Sequence, residues 1–434
     1  MILRRPVRHA VAHARAAHAA GDFAAARRSI EPVVVARGAP LEAVRGMAEL
    51  EYLLGDYDAA EALLDRIVNA TRASSARRLD AEAALALVHY RTGRYDKARG
   101  LFAGGAVDMP VWSLMTAFGN DPPYAIEWPD GEPQATVPLT QTAPWELPIV
   151  SLEVDGVALD AWIDTGGDML TLPHDVASAL GVEPRARFTG TYAGGAQADG
   201  YYGRVASVRL GSVTLRNVPI ATAGFERAVI GTGFLSRFLA TIDYPRGRLA
   251  LRPHGSAPSC ADAVEVPFAL ALTHLMVATG SLAGRAGLTF LVDSGLRDEQ
   301  GAAFTAPAET LVGAGIPLPG THAVTDMSGA GDTILELGRF GIPRLGLGSL
   351  FQHDLVGLYG AFPAELGVAA TGFPIAGLIS HHFLRRYRWT IDFARMSMWF
   401  EGPAVDGSPR WAGWRVGPGT STALGGEVSV RWAR

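Results

Sequence analysis

Ala161-Trp162-Ile163-Asp164-Thr165-Gly166 and its echo, Thr289-Phe290-Leu291-Val292-Asp293-Ser294-Gly295, decide how this chain is read. Each is an apolar run ending in Asp-Thr/Ser-Gly. Such a run predicts a short buried strand that delivers a carboxylate to its end. The hydroxyl of Thr or Ser can hold a loop, and glycine lets the backbone turn tightly and approach a second loop closely. One tripeptide of this kind means little in a chain with 51 glycines. Two of them, each inside the same longer pattern, mean more. If the two loops meet face to face, two carboxyl groups come together, and like-charge repulsion leaves one protonated and the other ionised. Such a pair can activate a water molecule and protonate a leaving group.

Outward from the tripeptides the pattern repeats. In the first copy, residues 147–156 read as a strand and turn leading to Asp164. After it come Leu170-Thr171-Leu172-Pro173, a short helix closed by Gly181, a Gly-rich turn at Tyr192-Ala193-Gly194-Gly195, and strands over 204–210 and 213–220. The second copy opens at Val266-Pro267-Phe268 and reaches Asp293. It then repeats the order with Pro307, a helix closed by Gly313, and a Gly-rich turn at Ser328-Gly329-Ala330-Gly331. The ends align without a gap. Phe234-Leu235, Arg237, Phe238 and Thr241-Ile242-Asp243-Tyr244 match Phe383-Leu384, Arg386, Tyr387 and Thr390-Ile391-Asp392-Phe393, each 149 residues later. Asp243 and Asp392 read as structural partners of Arg246 and Arg395.

At these residues the chain resembles the retropepsin-like aspartic peptidases, in the bacterial form with two lobes in one chain. The resemblance covers about residues 145–402, and Asp164-Thr165-Gly166-Gly167-Asp168 is close to the family's Asp-Thr-Gly-Ala-Asp. It implies a closed β-rich lobe, twice, with the active site between. It also implies that Val229-Ile230-Gly231 packs beside the first Asp loop, and that Gly-rich turns tip hairpin flaps over a substrate. The flap and substrate candidates are Tyr192, Gly194 and Gly195 in lobe one and Gly329 and Gly331 in lobe two. Lobe two departs from the pattern, because Ser380 replaces the family glycine. A charged insertion of about five residues also follows Gly295, with Arg297 where lobe one has Asp168. A cation near the two carboxylates would favour their ionised forms; pointing outward it would only meet solvent.

Before the lobes, one phrase recurs three times: Gly21-Asp22-Phe23, Gly55-Asp56-Tyr57 and Gly93-Arg94-Tyr95, at intervals of 34 and 38 residues. Seven residues ahead of each glycine stands Ala14, Ala48 or Ala86, small enough for two helices to pack closely. The glycine ends one helix and the aromatic starts the next. This resembles the tetratricopeptide repeat, whose period is about 34 residues. The four extra residues of the second interval are expected in the turn at 69–78. A stack of three repeats has a concave face that often holds a peptide or partner protein; the alternative is a packing appendage for the next domain.

Seven prolines fall within residues 106–144 and forbid a continuous helix there, so an extended connection is expected, lying against its neighbours through Trp112, Phe118, Tyr124 and Trp128. The tail, 403–434, holds a candidate strand over 427–432. With 48% hydrophobic and 19% charged residues the chain is globular. A net charge of -5 without a basic run excludes nucleic acid and an anionic membrane surface as expected partners. The single cysteine, Cys260, forms no internal disulfide and builds no cysteine metal site. No apolar run is long enough to span a bilayer, and no apolar stretch follows Arg4-Arg5, so no signal peptide is expected and the cytoplasm is the default location. His381-His382 lies beside the second Asp loop without the spacing of a metal site, so a rim or supporting role is expected and no metal or other cofactor.

These readings give a multidomain α + β chain: helical repeats over 1–105, a linker over 106–144, a mainly-β bilobal peptidase-like domain with lobes at 145–255 and 256–402, and a tail. The expected function is aspartic endopeptidase, with Asp164 and Asp293 activating water. Thr165, Gly166, Ser294, Gly295, Gly231 and Ser380 would support the two loops. A peptide or protein is the substrate, the repeats offer a site for a protein partner, and no dimer is needed because both carboxylates lie in one chain. The rival reading is a non-catalytic peptide-binding scaffold on a degenerate peptidase fold.

Overall fold

The computed structural model describes residues 5–101, 110–131, 133–141, 146–192, 197–256, 262–326, 333–363, 366–402 and 430–432. Three helix pairs come first: Arg5–Ala19 with Phe23–Val34, Leu41–Leu53 with Tyr57–Ala70, and Ala76–Thr92 with Tyr95–Leu101. The recurring phrase makes each turn. Gly21, Gly55 and Gly93 take φ of 75°, 82° and 70°, the left-handed region that glycine enters without a steric penalty. Asp22 and Asp56 then cap the next helix, accepting from Ala25 N at 2.9 Å and Ala59 N at 3.0 Å. Arg94 replaces the cap in the third repeat and pairs instead with Glu61 at 2.6 Å. Ala14, Ala48 and Ala86 are buried, as close helix packing requires. The extra four residues do not lengthen the turn at 69–78. They lengthen helices, which run 14 and 17 residues in Tyr57–Ala70 and Ala76–Thr92 against 12 and 13 in Phe23–Val34 and Leu41–Leu53.

The proline-rich stretch is more structured than an extended connection. Pro110 starts the helix Pro110–Thr116, at the position where a missing N–H costs nothing. Strand Ala125–Glu127 then joins Val213–Ala223, and Ala135–Pro138 joins Arg248–Arg252. Both partners lie far downstream in sequence, so local pattern could not reveal them.

Each lobe uses the same strand connections. In lobe one, Ile149–Val154 and Val157–Ile163 form an antiparallel hairpin, and Val157–Ile163 runs parallel to Ala228–Ile230. Leu170–Pro173 pairs with the other edge of Ala228–Ile230. In lobe two, Leu275–Leu282 and Arg285–Val292 form the hairpin, Gly377–Ile379 is the parallel neighbour, and Ala302–Thr305 takes the other edge. The lobes join through antiparallel strands in the order Ala135–Pro138, Arg248–Arg252, Leu239–Asp243, Arg388–Asp392, Ser397–Glu401, Val264–Ala271. At the centre, Thr241 faces Thr390, 149 residues away, with hydroxyls 2.8 Å apart. Asp243 pairs with Arg246 at 3.2 Å and Asp392 with Arg395 at 3.3 Å, the partners read from the sequence.

One apolar core runs through both lobes, including Phe234, Phe238, Phe383 and Trp389. A second unites the repeats with lobe two, placing Met47, Leu50 and Leu53 in one cluster with Ala269, Leu275, Val277 and Leu291. Among the described residues no helix is long and apolar enough to cross a membrane.

Candidate active site

Both Asp-Thr/Ser-Gly loops leave the buried ends of strands, Val157–Ile163 and Arg285–Val292, whose last three residues are all buried while their first residues are exposed. The loops meet. Thr165 N donates to Ser294 Oγ at 3.0 Å and Ser294 N donates to Thr165 Oγ1 at 3.0 Å. Each hydroxyl then donates onward to the opposite strand: Thr165 Oγ1 to Val292 O at 3.0 Å, Ser294 Oγ to Ile163 O at 3.2 Å. All four atoms are buried, and every donor in this reciprocal set has an acceptor.

The glycines explain how the carboxylates come together. Asp164 Oδ1 accepts from Gly166 N at 2.7 Å, and Asp293 Oδ1 accepts from Gly295 N at 2.8 Å. A Cβ on Gly295 would overlap the Asp164 carboxylate, and one on Gly166 would overlap that of Asp293. Each carboxyl group therefore touches its own loop and the glycine of the other, which brings both to one spot. Asp164 is inaccessible and Asp293 is 3% exposed.

Gly231 supports the first loop by leaving space, because a Cβ there would stand 2.7 Å from the Gly167 backbone. Thr232 beside it donates to Thr165 O at 2.8 Å. Lobe two solves the same problem differently. Ser380 donates to Ala302 O at 2.7 Å and caps the short helix His381–Leu384 by accepting from His382 N at 3.1 Å. The serine thus ties the segment to strand Ala302–Thr305.

One expectation for lobe two needs correcting, that for Arg297, and another needs narrowing, that for the histidine pair. Arg297 neither meets solvent nor stands free beside the carboxylates. It is 2% exposed, ion-paired with Glu146 of lobe one, with its guanidinium 4.7 Å from the Trp162 ring centroid. Asp298 is likewise internal, held by the two terminal Arg339 nitrogens at 2.8 and 2.6 Å. The first half of the charged insertion, Arg297 and Asp298, is therefore turned inward into buried pairs, while Glu299 and Gln300 are exposed. His381 and His382 are not on a rim either. His381 is wholly buried with its ring 5.4 Å from that of Tyr244, and His382 Nε2 donates to Asp298 O at 2.8 Å. Burial, the largest cause, pushes His381 well below the usual imidazole range and His382 down to about 4. Among the described residues no group of three or more His, Cys, Asp or Glu is placed to hold a metal ion.

Beside the first loop lies a cavity of about 350 Å³, lined by Asp168, Tyr192, Tyr202 and Phe225 from lobe one and by Thr273 and His274 from lobe two. Tyr192 stands at the end of the hairpin Ala186–Thr191 and Gln197–Leu210, edge-on to Phe225 at 5.7 Å. The flap candidates Gly194, Gly195, Gly329 and Gly331 lie outside the described residues, as does Cys260. Three residues at this site were not found from the sequence: Tyr90, whose hydroxyl donates to Asp168 Oδ2 at 2.7 Å; His274, whose Nε2 donates to Gly166 O at 3.0 Å; and Thr232.

Two parts of the chain match known families. Residues 150–237 match the family described as gag-polyprotein putative aspartyl protease, and residues 7–32, 41–66 and 80–103 match the tetratricopeptide repeat. The first match covers lobe one only. No curated protein matches the chain. Among solved structures, the chain is similar to a retropepsin-like aspartic protease from Rickettsia conorii at 16% identity, covering 30% of this chain and 94% of that one, with a TM-score of 0.22. That score is too low to bear weight, so the assignment rests on the two family matches and the duplicated loops. The chain thus carries tetratricopeptide-type repeats within residues 7–103 and an aspartyl-protease-like segment over residues 150–237, whose strand connections recur in the lobe that follows.

Proposed function

We propose that the protein is an aspartic endopeptidase in which Asp164 and Asp293 act together on one water molecule. The observation that carries this reading is the reciprocal grip between the loops, with each carboxylate against the other loop's glycine. Two carboxyl groups held in this way share a proton, because two adjacent like charges repel. The ionised group takes a proton from water while the water oxygen bonds to the peptide carbonyl carbon. The protonated group donates to the carbonyl oxygen. The tetrahedral species then collapses, the C–N bond breaks, and the dyad delivers a proton to the leaving nitrogen. Thr165 and Ser294 brace the loops, and the cavity beside Asp168 receives part of an extended peptide. The repeats add a surface for protein contact.

The test is digestion of a diverse peptide mixture across pH 3 to 8, read by mass spectrometry, with Asp164→Asn and Asp293→Asn alongside. Cuts made by the wild type and by neither variant support the reading. Cuts that persist in a variant sink it.

Lobe two favours a second reading, a peptide-binding scaffold without turnover, through its buried Arg297–Glu146 pair and Ser380. That reading expects no cuts by the wild type but retention of peptides from the same mixture.

A further inference from the structure

The repeats meet the lobes through one repeated position. Three residues before each turn glycine stand His18, Tyr52 and Tyr90, and each reaches the two-lobed domain. The His18 ring lies edge-on to Phe373 at 5.8 Å. Tyr52 donates its hydroxyl to Leu272 O. Tyr90 donates to Asp168 Oδ2 at 2.7 Å. The turn glycines follow the same course: Gly21 abuts Thr289, Gly55 abuts Met396, and Gly93 faces Pro123 and Arg237. The repeat period therefore steps across the domain, with the first two repeats on lobe two and the third on lobe one. The face that carries these residues is occupied by the protein's own lobes.

Two of these contacts converge on the first Asp loop. Tyr90 holds Asp168 directly, and its ring is 4% exposed. Tyr52 holds Leu272, in the turn before His274. The His274 ring is fixed at both nitrogens: Nδ1 lies 2.7 Å from Thr273 Oγ1 and 4.0 Å from Asp168 Oδ2, and Nε2–H donates to Gly166 O at 3.0 Å. Gly166 and Asp168 are thus held from two directions, both traceable to the repeats.

We propose that the repeats act as an internal brace for the Asp164 loop, with Tyr90 and His274 as positioning residues that set the geometry of Gly166, Gly167 and Asp168. The inference rests on the reading of Asp164 as catalytic for its effect on turnover, but not for its effect on the loop. A hydroxyl hydrogen bond to a carboxylate that is part-buried is strong enough for its loss to be felt locally. A loop displaced by about 1 Å can lose on the order of 100-fold in rate.

The experiment uses the full chain with Tyr90→Phe, which removes only the hydroxyl. Amide hydrogen exchange is read over residues 164–170, with no substrate present. Turnover is read on a peptide that the wild type cuts. The brace predicts exchange in this segment faster by about tenfold, with protection elsewhere in lobe one unchanged. It also predicts kcat lower by roughly 10- to 100-fold with KM within about twofold. Unchanged exchange overturns the proposal. So does a rise in KM alone, which would make Asp168 a substrate contact independent of Tyr90. If the wild type cuts nothing, the proposed function fails while the exchange arm still decides the brace. Should Tyr90→Phe fail to fold, His274→Gln tests the second hold with the same readouts.

Discussion

At the scale of single residues, the two loops depend on groups that have no substitute. Ser294 Oγ accepts from Thr165 N and donates to Ile163 O, so Ser294→Ala leaves a buried N–H and a buried carbonyl without partners. We expect a loss of about 2 kcal/mol in denaturant unfolding, whereas Ser294→Thr keeps the hydroxyl and loses less. Gly295→Ala should retain the fold more nearly than the chemistry, because the new methyl falls on the Asp164 carboxylate. Turnover of a cleaved peptide should drop by about 100-fold or more; an active Gly295→Ala enzyme would mean that Asp164 is not where the reaction occurs. These residues could be read in the sequence because the tripeptide occurs twice. Tyr90, His274 and Thr232 could not, since nothing local distinguishes a tyrosine that reaches another domain from one that fills a helix interface. The recurrence of His18, Tyr52 and Tyr90 ahead of the three glycines was the available signal.

At the scale of elements, the second lobe's turn carries a pH liability. Burial holds His381 and His382 below the usual imidazole value of 6.5, His382 at about 4. Between those limits the unfolded chain binds protons that the folded chain excludes. Stability is therefore full above about pH 6.5 and is lost as pH falls toward 4, by about 3 kcal/mol for His382 alone. Urea midpoints at pH 7 and pH 4.5 measure this, and His382→Gln should flatten the difference. A pH-independent midpoint would mean that His382 is not buried neutral. Helix and strand order was legible here because Gly, Pro and aromatic residues punctuate each copy. The inward course of Arg297 and Asp298 was not, because their partners Glu146 and Arg339 are 151 and 41 residues away. A charged run reads as solvated unless such partners are known.

At the scale of the whole molecule, the repeats share an apolar core with lobe two. Removing residues 1–105 would take away the repeat half of this core and uncover its lobe-two half around Ala269 and Val277, which line a cavity together with Gly21 and Phe23. We expect the truncated chain to aggregate or to melt at least about 10 °C lower. A stable, soluble truncation that cuts short peptides at the wild-type rate would restore the view of the repeats as a separate recruiting module. The duplication itself was visible in the sequence as the 149-residue match, and the central Thr241–Thr390 contact is its structural counterpart. The central claim is that Asp164 and Asp293 act as one unit. The most direct test compares turnover of a single cleaved peptide by Asp164→Asn, Asp293→Asn and the double variant. A shared site predicts that each single change costs at least ~1,000-fold and that the double change costs no more than either. Losses that multiply in the double variant, or one single variant that keeps its activity, would contradict the account.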